Sequence, residues 1–242
     1  MFPRADLMLG SSGLQFDYLV VGAGGAGGGA LGGSTGKGGG GGAGQVKSGK
    51  LEFSSGTALA ITVGAPGVGQ VNDNGAPGGL SALGDVVTAL GGGYGAAPLN
   101  HGGGGGNGGG GGSTNGGASA GGLGVDFNGA AGGIGHGGGG GGAGGVSPDG
   151  THGGPGVAKT ISGSAVTYGV GGGANSATTA GSGGDGAVHS DTVGDDRAGA
   201  SGIRGVVIIR YAGTARATGG VITTVAGDTV HTFTASGVFT VL

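Results

Sequence analysis

Residues 102–112 read GGGGGNGGGGG, ten glycines around one asparagine. Inside a helix each glycine costs about 1 kcal/mol relative to alanine. Residues 28–44 hold 11 glycines in 17, so a helix there would be penalised by roughly 10 kcal/mol. An ordinary sheet is also poor, because glycine offers no side chain to pack. One ordered state suits such a run: an extended left-handed threefold helix with about 3.1 Å rise per residue, its amides and carbonyls pointing outward. Without side chains, such helices pack side by side and hydrogen-bond to one another, the polyglycine-II arrangement. Ordering each residue costs about 1–2 kcal/mol. A net backbone hydrogen bond returns about 1 kcal/mol, and Cα–H···O contacts add about 0.5–1 kcal/mol. A lone tract therefore stays unordered, whereas a lattice with interior members can form. Interior positions are then expected to be glycine. Alanine, asparagine and serine suit the faces, where Asn107 is expected.

Glycine supplies 79 of the 242 residues. Collagen needs glycine at every third position and abundant proline; here the runs are continuous and there are six prolines. Disorder goes with low hydrophobicity and high net charge; this chain has net charge −3 and 9% charged residues. A flexible linker is the competing reading, but non-glycine residues recur between the tracts and the apolar ones cluster near both ends. No two of the nine Lys and Arg are adjacent, so no nucleic-acid footprint exists. No apolar run approaches the roughly 20 residues of a membrane span. Arg4 and Asp6 interrupt the opening MFPRADLMLG, so no signal peptide is expected. The absence of cysteine excludes disulfides and thiolate metal sites.

The chain reads as a lead segment (1–15), a glycine-rich domain with bracketing strands (16–211) and a C-terminal β-hairpin (212–242). The expected fold is mostly irregular and β: packed polyglycine-II helices bracketed by short strands and hairpins. FDYLVV (16–21) and GVVIIRY (205–211) are the bracketing strands. Residues 46–63 read as a hairpin with arms Leu51–Phe53 and Ala58–Val63. Residues 85–90 read as another short strand. In the last segment, Thr229–Phe233 and Val238–Val241 read as hairpin arms about a Ser236–Gly237 turn. The glycine tracts lie at 22–44, 64–79, 91–95, 102–112, 116–122, 129–145, 150–156, 169–173 and 181–186.

Some motifs imitate chemistry. A strand followed by Gly22, Gly24 and Gly27 matches the dinucleotide fingerprint, but that site needs a helix to start at the third glycine, and the run that follows cannot form one. Gly117–Gly121 (GASAG) matches a nucleophile elbow without its flanking strand and helix. Gly36–Lys37 lacks the hydroxyl residue of a phosphate loop. Residues 121–127 resemble a single calcium-binding β-roll repeat without tandem copies. His101, His136, His152, His189 and His231 lack metal-ligand spacing. Asp185, Asp191, Asp195 and Asp196 read as a solvated acidic loop. No catalytic residue, metal or cofactor is expected, and the chain is read as a non-enzyme.

A strand ending LVVGAGGAG, a segment ending ITVGAPG (61–67), a series of glycine tracts and a closing GVVIIRY strand together resemble the glycine-rich domain of tailed-phage tail-fibre tips, over residues 17–211. HTFTASGVFTV (231–241) resembles a hairpin of those proteins, displaced here to the far side of the domain. The resemblance implies a virion adhesin, extracellular when functional, whose loops bind a host surface protein or glycan. It also implies other tail-fibre or virion subunits as partners, and a possible homo-oligomer. Aromatic and amide residues between the tracts are the expected contacts, because they bury area at low entropy cost: Tyr94, His101, Phe127, Asn128, His152 and Tyr168. Capping the lattice edge is the competing role for each. The alternative function is a structural virion or extracellular fibre protein that assembles head to tail by exchange of its C-terminal strands, without a receptor. Ice binding would need a regular threonine or alanine face, and none is found. The absence of cysteine disfavours the glycine-rich region of animal receptor kinases.

Overall fold

The computed structural model describes residues 13–30, 36–114, 117–173, 180–186 and 196–242. Most of the lead segment, His189, Asp191 and Asp195 lie outside the described residues. As expected from the glycine content, the described residues are strands and irregular segments with no helix.

Two five-stranded antiparallel sheets face each other. The first contains β1 (Leu14–Val21), β2 (Val46–Phe53), β12 (Val206–Ala212), β14 (Val221–Val225) and β15 (Asp228–Phe233), in the order β14-β15-β12-β1-β2. The second contains β3 (Ala58–Thr62), β4 (Ser81–Leu83), β5 (Val87–Ala89), β13 (Ala217–Thr218) and β16 (Gly237–Val241), in the order β13-β16-β3-β4-β5. Strand alternation sends Phe16, Val207, Ile209 and Phe233 of the first sheet against Ile61, Leu83 and Phe239 of the second. Phe16 meets Phe53 in a stack and Phe239 edge-on, with centroids 5.9 and 5.6 Å apart. The opposite face of the first sheet is partly covered by a hairpin of β10 (Val157–Lys159) and β11 (Val166–Tyr168), which packs on Leu19, Val21, Ile208 and Val230. Two short pairs remain: β6 (Gly105–Asn107) with β9 (Gly124–Phe127), which is parallel, and β7 (Ser113–Thr114) with β8 (Gly117–Ala118).

Both expected hairpins are corrected. β2 and β3 lie in different sheets, and so do β15 and β16. β15 is a central strand, flanked by β12 and β14. Val230 faces one side of it, while His231 and Phe233 face the inter-sheet core. No edge of β15 is left for β16, whose Phe239 must face Phe16 across the core, so the chain turns a corner. The hairpin actually formed is β14–β15, closed by Ala226 and Gly227, both at positive φ (51° and 87°), as tight hairpin turns require. Residues 212–242 are thus woven into both sheets of their own chain.

The glycine segments extend from one end of this sandwich. Segment 22–30 runs straight on from β1, and its hydrogen bonds repeat every third residue. Gly22, Gly25 and Gly28 donate to Gln45, Gly42 and Gly39. Ala23, Ala26 and Gly29 donate to Gly79, Ala76 and Asp73; Gly24, Gly27 and Ala30 donate to Ile203, Ala200 and Arg197. Three further segments donate back to it, through Gly67, Gly92 and Gly184. Segment 37–45 likewise donates to 90–96, 138–141 and 181–184 among others, and accepts from Gly28, Gly110 and Gly172. Segment 107–113 shows the same threefold pattern. These three segments are interior. Around them the others stack in rows, with 64–70 and 73–79 forming one outer row and 150–156 the opposite edge.

Backbones this close exclude a side chain at most glycines, yet Ala23, Ala26, Ala30 and Ala43 are fully buried in the interior segments, which corrects the expectation that alanine keeps to the faces. A Cβ on Gly25 would lie 2.1 Å from the Gly93 carbonyl oxygen, and one on Gly42 would lie 2.1 Å from that of Asn107. Asn107 itself is corrected from a face to the interior. It is fully buried, and its Nδ2 donates to the carbonyls of Ala43 and Gly44 at 3.0 and 3.4 Å. Pro66, Pro77 and Pro155 all sit in outer segments. Proline suits an extended threefold backbone, and its missing N–H is cheapest where no neighbour waits to accept.

Candidate functional site

Two ends of the lattice can be told apart. At the near end Gln45 is buried, donating to Asp126 Oδ1 (3.0 Å) and accepting from Leu90 N–H (3.0 Å), which closes the lattice against the sheets. The far end lies where Ala30 pairs with Arg197, Lys37 with Ser113 and Val71 with Ala198.

The six expected contact residues do not gather in one place. His101 is at the far end, exposed, with Nδ1 accepting from Ala120 N–H at 3.1 Å. Phe127 and Asn128 sit at the near end, where Gly108 donates to the Phe127 carbonyl and Asn128 Oδ1 accepts from Gly124 N–H. Gly112 bonds Asn100 while Gly108 bonds Phe127; four residues of extended chain separate these levels, roughly 12 Å. His152 lies on the opposite edge row. Asp149 accepts there from the backbone N–H groups of His152 and Thr151, which hold its carboxyl well below the usual carboxylate range. The half-buried ring of Tyr94 covers the position a Cβ of Gly103 would take, so it fills the flank between two segments. Tyr168 is corrected outright. At 5% exposure it packs in the second apolar cluster, and burial raises its phenol pKa.

What the fold does assemble is a group of far-end loops. Asn74 Oδ1 accepts from Ala97 N–H (2.8 Å) and from Asn100 Nδ2 (3.2 Å), tying loop 70–74 to loop 97–101. His101 ties the latter to segment 119–124. Leu99 stands on this unit at φ 66° and 62% exposure. A leucine in the left-handed region is strained, by about 1–3 kcal/mol. Asn72, at φ 55° in the adjoining loop, has a buried Oδ1 with no partner among the described residues. Val71 and Ile134 (77%) are further exposed apolar tips at this end. Aromatic content does not mark these exposed apolar positions. What marks Leu99 in the sequence is a bulky residue in the short Pro98–Leu99–Asn100 stretch between two glycine tracts.

The decoy motifs are occupied by the lattice. Every amide from Gly22 to Ala30 already donates to a neighbouring carbonyl, so the fingerprint glycines have none to offer a pyrophosphate. Ser119 is buried, with its own amide bonded to Gly112. No group of three potential metal ligands occurs among the described residues.

A family model described as a glycine-rich domain matches residues 9–212. A search of the curated proteins finds no match.

Proposed function

The chain belongs to the glycine-rich domain family, and from that premise we propose that it is a non-enzymatic adhesin of a phage tail-fibre tip, displayed on the virion. Its glycine segments are polyglycine-II helices: the threefold repeat of donors to three separate neighbours supports that assignment. The lattice acts as a rigid mount, and binding belongs to the loops that leave it. The observation carrying this reading is Leu99, an apolar side chain held exposed and strained on loops cross-linked by Asn74. Strain of this kind persists only where the surroundings enforce it, and it clusters at ligand-binding positions. The receptor is a host surface protein or glycan, met by the loops around Val71, Leu99, Asn100, His101 and Ile134.

The test is adsorption to bacterial cells. Purified protein is expected to bind the surface of its host, and antiserum against it to block phage adsorption. Protein that binds no cell, with an antiserum that leaves adsorption intact, would overturn the adhesin reading in favour of a purely structural fibre component.

A further inference from the structure

The two five-stranded sheets have four edges: β14 and β2 in the first, β13 and β5 in the second. An open edge offers unpaired amides and carbonyls to any other strand, and proteins blunt such edges with charge or by keeping them short. β2 carries Lys47, Lys50 and Glu52; β13 has two residues and β5 three. β14 has none of these protections. It is five residues long, VITTV, and uncharged chain extends on both sides of it, from Ala217 to Gly227. Its first four residues are exposed, Val221 at 64%. The strand is nonetheless held firmly: it pairs with β15 along its whole length, and Gly219–Gly220 before it and Ala226–Gly227 after it are all at positive φ.

We propose that β14 is a homodimerisation edge, pairing antiparallel with β14 of a second copy of this chain about a twofold axis through Thr223. VITTV reads almost the same in both directions. The antiparallel register therefore sets Val221 against Val225 of the partner subunit, Thr223 against its equivalent, and Ile222 against Thr224 of the partner subunit. Pairs of β-branched residues and of threonines are favourable across strands, and no like charges meet. Charge selects this occupant over the other long edge, since β2 would set lysines against an uncharged strand. The outer face gains a second contact. Val225 lies beneath Gly163, in the turn of the β10–β11 hairpin, so the twofold brings the partner's turn over Val221. The product is one sheet of ten strands with its most vulnerable edge removed, and two lattices carried by one dimer.

Sedimentation velocity of the full chain over a concentration series is expected to show a monomer–dimer equilibrium. Thr223→Lys places two lysines across the axis on an exposed face and is expected to give monomer alone. An equimolar mixture of Thr223→Lys and Thr223→Glu is expected to regain the dimer, which a merely structural role for Thr223 would not produce. The chain has no cysteine, so Thr223→Cys introduces a single thiol. It is expected to form a disulfide-linked dimer under mild oxidation, whereas Val238→Cys, exposed on another strand, stays monomeric. Wild type that sediments as monomer at every soluble concentration, or a dimer that survives Thr223→Lys, overturns the proposal. Should the lysine variant fail to fold, Thr223→Cys decides: no cross-link above the Val238→Cys control overturns it.

Discussion

Replacing Gly42 by alanine adds one methyl group to a protein that already holds alanine at the next position, yet it is expected to be among the most damaging substitutions available. The new Cβ would lie 2.1 Å from the carbonyl oxygen of Asn107 and 2.7 Å from that of Gly108. A tolerable C···O contact is about 3.3 Å, so segment 106–113 must retreat by roughly 1.2 Å. That segment is bonded to 37–45 through Asn107 N–H to Ala43 O (3.2 Å), Gly110 N–H to Gly40 O (2.7 Å) and the Asn107 amide. The retreat breaks the first and third and leaves their groups buried, at about 1–3 kcal/mol each. Reduced entropy of the unfolded chain offsets about 0.4–1 kcal/mol of this. The net loss is about 1–5.6 kcal/mol, centred near 3 kcal/mol, a large share of the 5–15 kcal/mol typical of a domain. Gly104→Ala is the control. Gly104 is exposed, the only atom near its added Cβ among the described residues is Leu123 O at 3.1 Å, and its effect is expected within about 0.5 kcal/mol of zero. Urea unfolding of both variants, with m unchanged, reads the difference from the midpoints. If Gly42→Ala unfolds within about 1 kcal/mol of Gly104→Ala, the close-packed lattice is wrong, whatever the glycine content.

Asn107→Asp is expected to destabilise by about 3–5 kcal/mol at neutral pH, because a carboxylate would face the Ala43 and Gly44 carbonyls unpaired. Its folded pKa would be raised, so the penalty should shrink as pH is lowered towards the ordinary carboxyl value, as pH-dependent unfolding would show. His231 is fully buried between the sheets, with Nδ1 on Gly219 O (2.7 Å) and Nε2 on Tyr211 OH (2.8 Å), and desolvation lowers its pKa below the ordinary 6.5. Its neutral form therefore supports the fold fully above pH 6.5. Below that the unfolded chain takes up a proton that the folded chain resists, so stability falls. The thermal midpoint should drop between pH 6.5 and 5 in wild type and less in His231→Gln. Leu99→Gly relieves the positive φ and removes the side chain, so it should raise the unfolding midpoint slightly while weakening cell binding. Unchanged binding would remove Leu99 from the contact surface.

Several features were legible before any tertiary structure. Glycine density alone forbids helices in the tracts, and β-branched runs mark β1 and β12 as the strands that open and close the lattice. The same density disarms the dinucleotide fingerprint, by forbidding the helix it needs. Asn107 shows the limit: one asparagine among ten glycines looks like a surface concession, but its amide instead ties two interior segments. Glycine tracts are chemically alike, and the hydrogen bonds between them carry no side-chain code. Only the packed structure can decide which tract neighbours which, which are enclosed, and which loops reach the far end together. The corner between β15 and β16 is of the same kind. TASG can close a hairpin or turn a corner, and the choice was made at a distance, by β12 and β14 occupying both edges of β15 and by Phe16 requiring Phe239 across the core. The sequence by itself determined that the backbone would be extended and where it would cross between lattice and sheet. Tertiary packing decided neighbours and ends, because in a chain so poor in side chains the identity of a contact is set by position rather than by chemistry.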